Sequence, residues 1–342
     1  MRRRTAAGAV RAPQGGVRPG SDPARTCDPL SRVSRHVNRR EFLAAAAVAP
    51  FAVRTVVAAA AAAAAAPVAL VTCDTEARLA VVDLGAFRVV RSIRTVDDPR
   101  AVELVGDRAV VCHTAAGAVS IVDAHGVRHV LRDFVEPRYV AAHPDGVHAF
   151  VSDSGRSSVS AVDTLRGRVV ARASLPGWAR HITIDRTGRI VWVSLGNASE
   201  HVAVVETSRL RRTALLTPGF LAHDVGHAPD GRLWITSGAS RELAVGHATH
   251  PADLAPQHVT FAPDRAFVTS GDSGTLHMQT LDGRIVRTTP IPTESYNVQY
   301  GFGRVVTPSL LRGTLTVLDA RGSLLAQVQV ASSCHDACLL PA

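Results

Sequence analysis

From Pro67 onward the chain alternates short apolar runs with turns rich in Gly, Asp and Pro, a pattern that predicts short β-strands and almost no helix. One element recurs: an aromatic or apolar residue, then a β-branched residue and, in most copies, Ser or Thr. Successive copies begin 40, 40, 42, 42, 33 and 38 residues apart. The seven copies are Leu70–Cys73, Val110–His113, Phe150–Asp153, Trp192–Leu195, Trp234–Ser237, Phe267–Ser270 and Val305–Pro308.

Two further markers follow the same spacing. One ends the next apolar run, at Asp83, Asp123, Asp163, Glu206, His247, Asp282 and Asp319. The other opens each unit, at Pro99, Pro137, Ala179, Ala222, Pro256, Ser295 and Cys334. A unit of about 40 residues with four short strands is typical of a propeller blade. The three markers therefore predict one all-β domain over 67–342, a seven-bladed β-propeller.

The phase of the repeat predicts how the ring closes. The chain enters at the second strand of a blade, near Val68. Its last segment, CHDACLL at 334–340, matches the first strand of every other unit, so we expect it to complete the first blade. From His247 to Pro256 the chain advances only nine residues. The outer strand of the fifth blade is therefore expected to be stunted or missing.

Together with the turns HPDG (143–146) and APDG (228–231), the seven tetrapeptides resemble the YVTN-type seven-bladed β-propellers, the YncE-like group. No copy is a literal Tyr-Val-Thr-Asn. The resemblance covers 67–342 and implies the fold. It supplies no catalytic residues, because that family is defined by structural repeats.

The N-terminal segment carries most of the net positive charge. Residues 1–66 hold 11 Arg against three acidic residues, whereas the rest of the chain is nearly neutral, and there is no Lys. Because the excess of basic over acidic residues is confined to this segment, no nucleic-acid partner is expected.

The stretch NRREFLAAAAVAPFAV places Arg39 and Arg40 before an apolar run, and small residues follow up to Pro67. This resembles a twin-arginine export signal over 38–66, cleaved near Ala65 or Ala66. The mature protein is then periplasmic or extracellular, and it meets a membrane only if this segment stays uncleaved. Residues 1–37 are expected to be disordered, or to result from a start codon assigned too early.

Several motifs are explained by the repeat. GDSG at Gly271–Gly274 resembles a protease nucleophile loop, but SDSG at 152–155 occupies the same turn and no triad spacing accompanies it. The haem-attachment, P-loop, dinucleotide and Cys₂His₂ zinc patterns are absent from the sequence, so no cofactor is assigned. His227, in AHDVGHAPDG, is expected to be packed or solvated and not a ligand.

The candidate site is a ring of polar residues at one mouth of the channel. They follow each unit-opening marker: Arg100, Arg138, Arg180, His181, His223, Asp224, Gln257, His258, Tyr296, Asn297, His335 and Asp336. We expect His223–Asp224 and His335–Asp336 to be the strongest candidates. Arg100, Arg138 and Arg180 could bind an anionic group.

Three functions stay open for this ring. The first is a propeller that binds a small molecule or a protein partner at the channel mouth. The second is a hydrolase that resembles the seven-bladed lactonases, with polar side chains polarising an ester carbonyl and activating water. The third is a metal or redox protein, since imidazole suits Cu, Zn and Fe.

The predicted register also brings two cysteines together. Pro137 lies roughly opposite Asp153 in its hairpin, and the same two positions in the first blade are Cys334 and Cys73. Export favours oxidised cysteine. We therefore predict a disulfide between Cys73 and Cys334, while buried free thiols or metal ligation by Cys334 and Cys338 remain the alternatives.

Overall fold

A computed structural model describes residues 66–196 and 199–341. Over these residues it contains 28 β-strands in seven four-stranded antiparallel sheets, a seven-bladed β-propeller. None of the described residues forms a helix with the length and apolar character needed to cross a bilayer. The expected N-terminal extension and nearly all of the expected export signal lie outside the described residues.

The strands of each blade follow one another in the chain, except that the last strand completes the first blade. Blades one to three comprise β1 (Val68–Cys73), β2 (Arg78–Asp83), β3 (Arg88–Arg94); β4 (Pro99–Val105), β5 (Arg108–His113), β6 (Ala118–Asp123), β7 (Gly126–Leu131); and β8 (Pro137–Ala142), β9 (His148–Asp153), β10 (Ser158–Asp163), β11 (Arg168–Ser174). Blades four and five comprise β12 (Ile182–Ile184), β13 (Ile190–Ser194), β14 (Val202–Glu206), β15 (Arg211–Leu216); and β16 (Val225–His227), β17 (Leu233–Thr236), β18 (Glu242–Val245), β19 (Ala248–Pro251). Blades six and seven comprise β20 (Val259–Ala262), β21 (Arg265–Ser270), β22 (Thr275–Thr280), β23 (Ile285–Pro290); and β24 (Gln299–Gly301), β25 (Arg304–Pro308), β26 (Thr314–Asp319), β27 (Leu324–Gln329), and β28 (Ala337–Leu340) returns to blade one.

The innermost strands pack against one another around the channel. The strand β28 pairs with β1, with Ala337 opposite Val71 and Leu340 opposite Val68. It also packs on β4 of the second blade and β24 of the seventh, which closes the ring. The prediction that the C-terminal segment completes the first blade is therefore confirmed.

Burial follows the position of a strand in its blade. All six residues of β1 are buried, whereas all six residues of β15, an outer strand, are exposed. The second strand of a blade is covered on both faces by neighbouring blades, so its sequence is a continuous apolar run and does not alternate. This explains why the recurring tetrapeptide is the most visible marker of the repeat.

The fifth blade keeps its outer strand in shortened form. The strand β19 has only four residues, as the short spacing predicts. The loop that follows is attached to the sixth blade through Asp253, whose carboxylate lies 2.9 Å from His277 Nε2 and accepts a hydrogen bond of 2.7 Å from Thr275. These contacts hold the loop in place, because the short strand β19 provides little backbone pairing.

In five of the seven blades, the Ser or Thr of the recurring tetrapeptide joins its blade to the next. The Thr236 hydroxyl accepts the N–H of Asp224 in its own inner strand at 3.0 Å and donates to the carbonyl of Gln257 in the next blade at 2.7 Å. Five such residues make both bonds: Thr72, Ser152, Ser194, Thr236 and Thr269. We call this contact the hydroxyl clasp; it fixes the backbone from which the channel-mouth side chains project.

Candidate functional site

The channel mouth has two tiers, defined by register. The outer tier consists of the seven residues that directly follow the unit-opening markers. The inner tier consists of the seven residues one position further along the chain. Six outer-tier residues line a mouth cavity of ≈ 360 Å³: Arg100, Arg180, His223, Gln257, Tyr296 and His335. All seven inner-tier residues line a channel cavity of ≈ 210 Å³: Ala101, Tyr139, His181, Asp224, His258, Asn297 and Asp336. Tyr139 and His258 line both cavities and so lie where the cavities meet.

Three histidines from consecutive blades converge at this junction. His181, His223 and His258 each offer a ring nitrogen within 4.8 Å of the other two. The ring of His181 lies 4.5 Å from each of the other two rings, centre to centre. Tyr139 completes the group, with its ring centre 4.1 Å from that of His181 and its hydroxyl 3.5 Å from Nε2 of His258. We call these four residues the histidine cluster.

Hydrogen bonding fixes how His181 is protonated. Its Nδ1 lies 2.6 Å from the backbone carbonyl oxygen of His223, which can only accept, so Nδ1 carries the proton. Its Nε2 therefore presents a lone pair, and this atom is buried without a hydrogen-bond partner among the described residues. On His258, Nδ1 lies 3.6 Å from the Asp224 carboxylate, while Nε2 faces Tyr139. A backing carbonyl or carboxylate is typical of histidines that bind metals.

The environment keeps these histidines uncharged at neutral pH. Burial and then the charge of Arg180 lower the pKa of His223 to about 3. Burial also lowers the pKa of His181 and His258 well below the ordinary value, with neighbouring imidazoles adding to the effect. An uncharged imidazole is the form that binds a metal ion. The cluster therefore offers three neutral nitrogen donors.

The two acidic residues of the ring accept hydrogen bonds from backbone N–H groups of the next blade. Asp224 accepts the N–H of Val259 at 3.0 Å, and Asp336 accepts the N–H of Val102 at 3.0 Å. Burial raises the pKa of each carboxyl to about 7. The sequence neighbours His223 and Asp224 occupy different tiers, so they do not form one paired site. Asp224 instead backs His258 from the next blade.

The remaining predicted residues divide between the cavities. Asn297 donates to the backbone carbonyl of His335 at 2.6 Å and so joins the seventh blade to the first. His335 lines the mouth cavity, and burial lowers its pKa to about 3. The hydrogen bond between Asn297 and His335 therefore connects the last blade of the ring to the first.

The three ring arginines do not act alike. Arg100 and Arg180 line the mouth cavity, but Arg138 does not. The Arg138 guanidinium lies 4.9 Å from the ring centre of Trp178, donates to Ser154 at 3.1 Å and lies 3.7 Å from the Glu136 carboxylate. The geometry brings together two of the three arginines expected to bind an anion.

Two residues of this region escaped the sequence analysis. Tyr139 occupies the inner tier of the third blade, and comparing Pro137-Arg138-Tyr139 with Ala179-Arg180-His181 would have found it. Glu103 lines the channel cavity, and burial raises its pKa to about 8. It lies two residues beyond the inner tier, so no marker of the repeat indicates it. His227 stacks on Trp192 with ring centres 5.1 Å apart, the packed role that was expected.

At the ring closure, Cys73 and Cys334 are adjacent and buried. Both are thiols in the structure, and a hydrogen bond between their side chains lowers the pKa of Cys73 and raises that of Cys334. The pairing of Pro137 with Asp153, on which the predicted cysteine contact was based, is confirmed. The contact agrees with the predicted register, and the covalent bond stays a prediction.

Comparison with known proteins supports the fold. No family model matches the chain, and no curated protein matches it. Among solved structures, a chain of hydrazine synthase from Kuenenia stuttgartiensis is similar, with a TM-score of 0.65 and 15% sequence identity. The match covers 73% of this chain and 91% of that chain. At this identity the similarity shows a shared fold alone.

Proposed function

We propose that this protein is an exported, YVTN-type β-propeller that binds a transition-metal ion, Zn²⁺ or Cu²⁺, at its channel mouth. The ligands are His181, His223 and His258. The observation that carries the proposal is the convergence of three ring nitrogens within 4.8 Å, one of them a buried Nε2 without a hydrogen-bond partner among the described residues. Imidazole nitrogens suit both ions.

The donor set fits an ion after a small adjustment. Zinc binds histidine nitrogen at about 2.0–2.1 Å, so tetrahedral ligands lie roughly 3.4 Å apart. The nitrogens of the cluster lie within 4.8 Å of one another, so they need to approach by up to about 1.4 Å. Three neutral protein ligands leave a fourth coordination position open, as in catalytic zinc sites. The Tyr139 hydroxyl lies 3.5 Å from Nε2 of His258 and would be available to donate a hydrogen bond to a group bound at the site.

The first test is metal content. The purified protein, loaded with Zn²⁺ or Cu²⁺ and desalted, should retain about one ion per chain by mass spectrometry. His223→Ala and His258→Ala should each weaken binding at least tenfold while leaving the melting temperature of the metal-free protein within a few degrees. His227→Ala is the matched control, because that histidine also lines the channel cavity but stacks on Trp192.

The control should retain metal like the natural protein. Substoichiometric binding by the natural protein would refute the proposal, and so would equal losses in His227→Ala and His258→Ala.

A further inference from the structure

The mouth cavity beside the histidine cluster has a positive wall. Arg100 comes from the second blade and Arg180 from the fourth, and both line this cavity. Burial lowers the pKa of Arg180, and the neighbouring charges of Arg138 and Arg100 lower it further. Guanidinium groups that share a partly dehydrated cavity favour an anion between them.

Two acidic side chains of the described residues, Asp272 and Asp98, lie in or near this part of the cavity. Asp272 lines the cavity but accepts a hydrogen bond from the Tyr296 hydroxyl at 3.1 Å. Asp98 lies 3.8 Å from Arg100, where both side chains are partly exposed to water. The carboxyls of Asp224 and Asp336 lie in the inner tier, and their bonds are directed to backbone groups of the next blade. Among the described residues that line the mouth cavity, the two arginines outnumber the one acidic residue, Asp272.

The cavity also has an apolar part. Leu221 and Leu310 line it, and 39% of the surface of Leu221 is exposed. A volume of ≈ 360 Å³ lies near the lower limit for small-molecule sites. A cavity lined by both arginine and leucine side chains suits an organic acid better than an inorganic phosphate, which has no apolar part.

We propose that the mouth cavity binds a small organic carboxylate, held by the guanidinium groups of Arg100 and Arg180, with its hydrocarbon part against Leu221 and Leu310. The pocket itself needs no metal. Only the placement of the ligand beside a bound ion rests on the proposed function. The site then joins an anion pocket to the open coordination position of the histidine cluster.

Calorimetry with a matched pair of probes tests this pocket. Benzoate and benzamide have nearly the same shape but differ in charge, and each is titrated into the metal-free and the metal-loaded protein. Benzoate should bind the metal-free protein at least tenfold more tightly than benzamide or inorganic phosphate. Arg100→Gln and Arg180→Gln should each weaken benzoate binding about tenfold, equal to about 1.4 kcal/mol, without changing metal content.

Arg138→Gln is the control, because Arg138 belongs to the same tier but is turned towards Trp178. It should bind benzoate like the natural protein. Equal affinity for benzoate and benzamide, tighter binding of phosphate, or an equal loss in Arg138→Gln would each overturn the proposal. Arginine-dependent benzoate binding in a protein that retains no metal supports the pocket and refutes the metal site. Metal retention without benzoate binding refutes the pocket alone.

Discussion

At the scale of single residues, two aspartates that accept equivalent backbone hydrogen bonds have different roles. Asp224 and Asp336 occupy the same register position in the fifth and first blades, and each accepts one N–H of the next blade at 3.0 Å. The next inner-tier residue is His258 in one case and Ala101 in the other. Asp224 therefore backs a member of the histidine cluster, whereas Asp336 has only the structural role.

The buried carboxyl of Asp336 predicts how stability varies with pH. Burial raises its pKa to about 7, against about 3.9 in an unfolded chain. Between these values the folded protein binds a proton that the unfolded chain releases, so the free energy of unfolding falls as pH rises from about 4 to 7. Asp336→Asn should reduce the fall measured by denaturant titration between pH 5 and 8, by at most about 3 kcal/mol.

A second carboxyl provides the control for that measurement. The pKa of Asp163 is lowered by its bonds to Arg166, so this group is ionised in both states between pH 5 and 8. Asp163→Asn should leave the fall with pH unchanged. An identical fall in the natural protein and in Asp336→Asn would contradict the assignment.

At the scale of the strand and blade, the hydroxyl clasp explains the most regular feature of the sequence. The position after the β-branched residue faces the gap between blades, where one hydroxyl can serve a donor and an acceptor at once. The second and seventh blades depart from the rule. Cys112 replaces the hydroxyl in the second blade, and in the seventh the Thr307 hydroxyl has no hydrogen-bond partner among the described residues.

That difference provides a matched pair of substitutions. Thr236→Val keeps the shape of the side chain but leaves the N–H of Asp224 and the carbonyl of Gln257 without their partner. It should lower the free energy of unfolding by about 2–4 kcal/mol, since each buried group left unpaired costs about 1–3 kcal/mol. Thr307→Val should change it by less than about 0.5 kcal/mol or raise it. Equal losses, measured by denaturant titration, would mean that packing and not the clasp sets the preference for Ser and Thr.

The repeat predicted elements better than side chains, for a physical reason. Spacing and turn chemistry determine which strands form, so the seven blades and the shortened β19 were predictable. The register also placed His181, His223 and His258 at the mouth. It could not show that Arg138 turns towards Trp178, because that choice depends on a ring from another segment of the chain. It could not separate the roles of Asp224 and Asp336 for the same reason.

At the scale of the whole molecule, the ring is closed by one strand pair. The strand β28 contributes four residues that pair with β1, so the first blade depends on the two ends of the domain meeting. Cys73 and Cys334 lie beside this pair, buried and in contact. A covalent link there would join the two ends of the propeller.

The disulfide prediction can be tested together with the predicted export. Protein recovered outside the cytoplasm should have Cys73 and Cys334 oxidised, because that compartment favours disulfides. A double Arg39→Lys, Arg40→Lys variant should stay in the cytoplasm with both thiols reduced, because lysine keeps the charge but lacks the guanidinium group. Alkylation followed by intact-mass and peptide analysis distinguishes the two states. In the chain-entropy model a loop of this length stabilises the fold by up to about 5 kcal/mol, so the exported form should also melt at a higher temperature. Free thiols at both positions in the exported protein would refute the disulfide, and undiminished secretion of the lysine variant would refute the export signal.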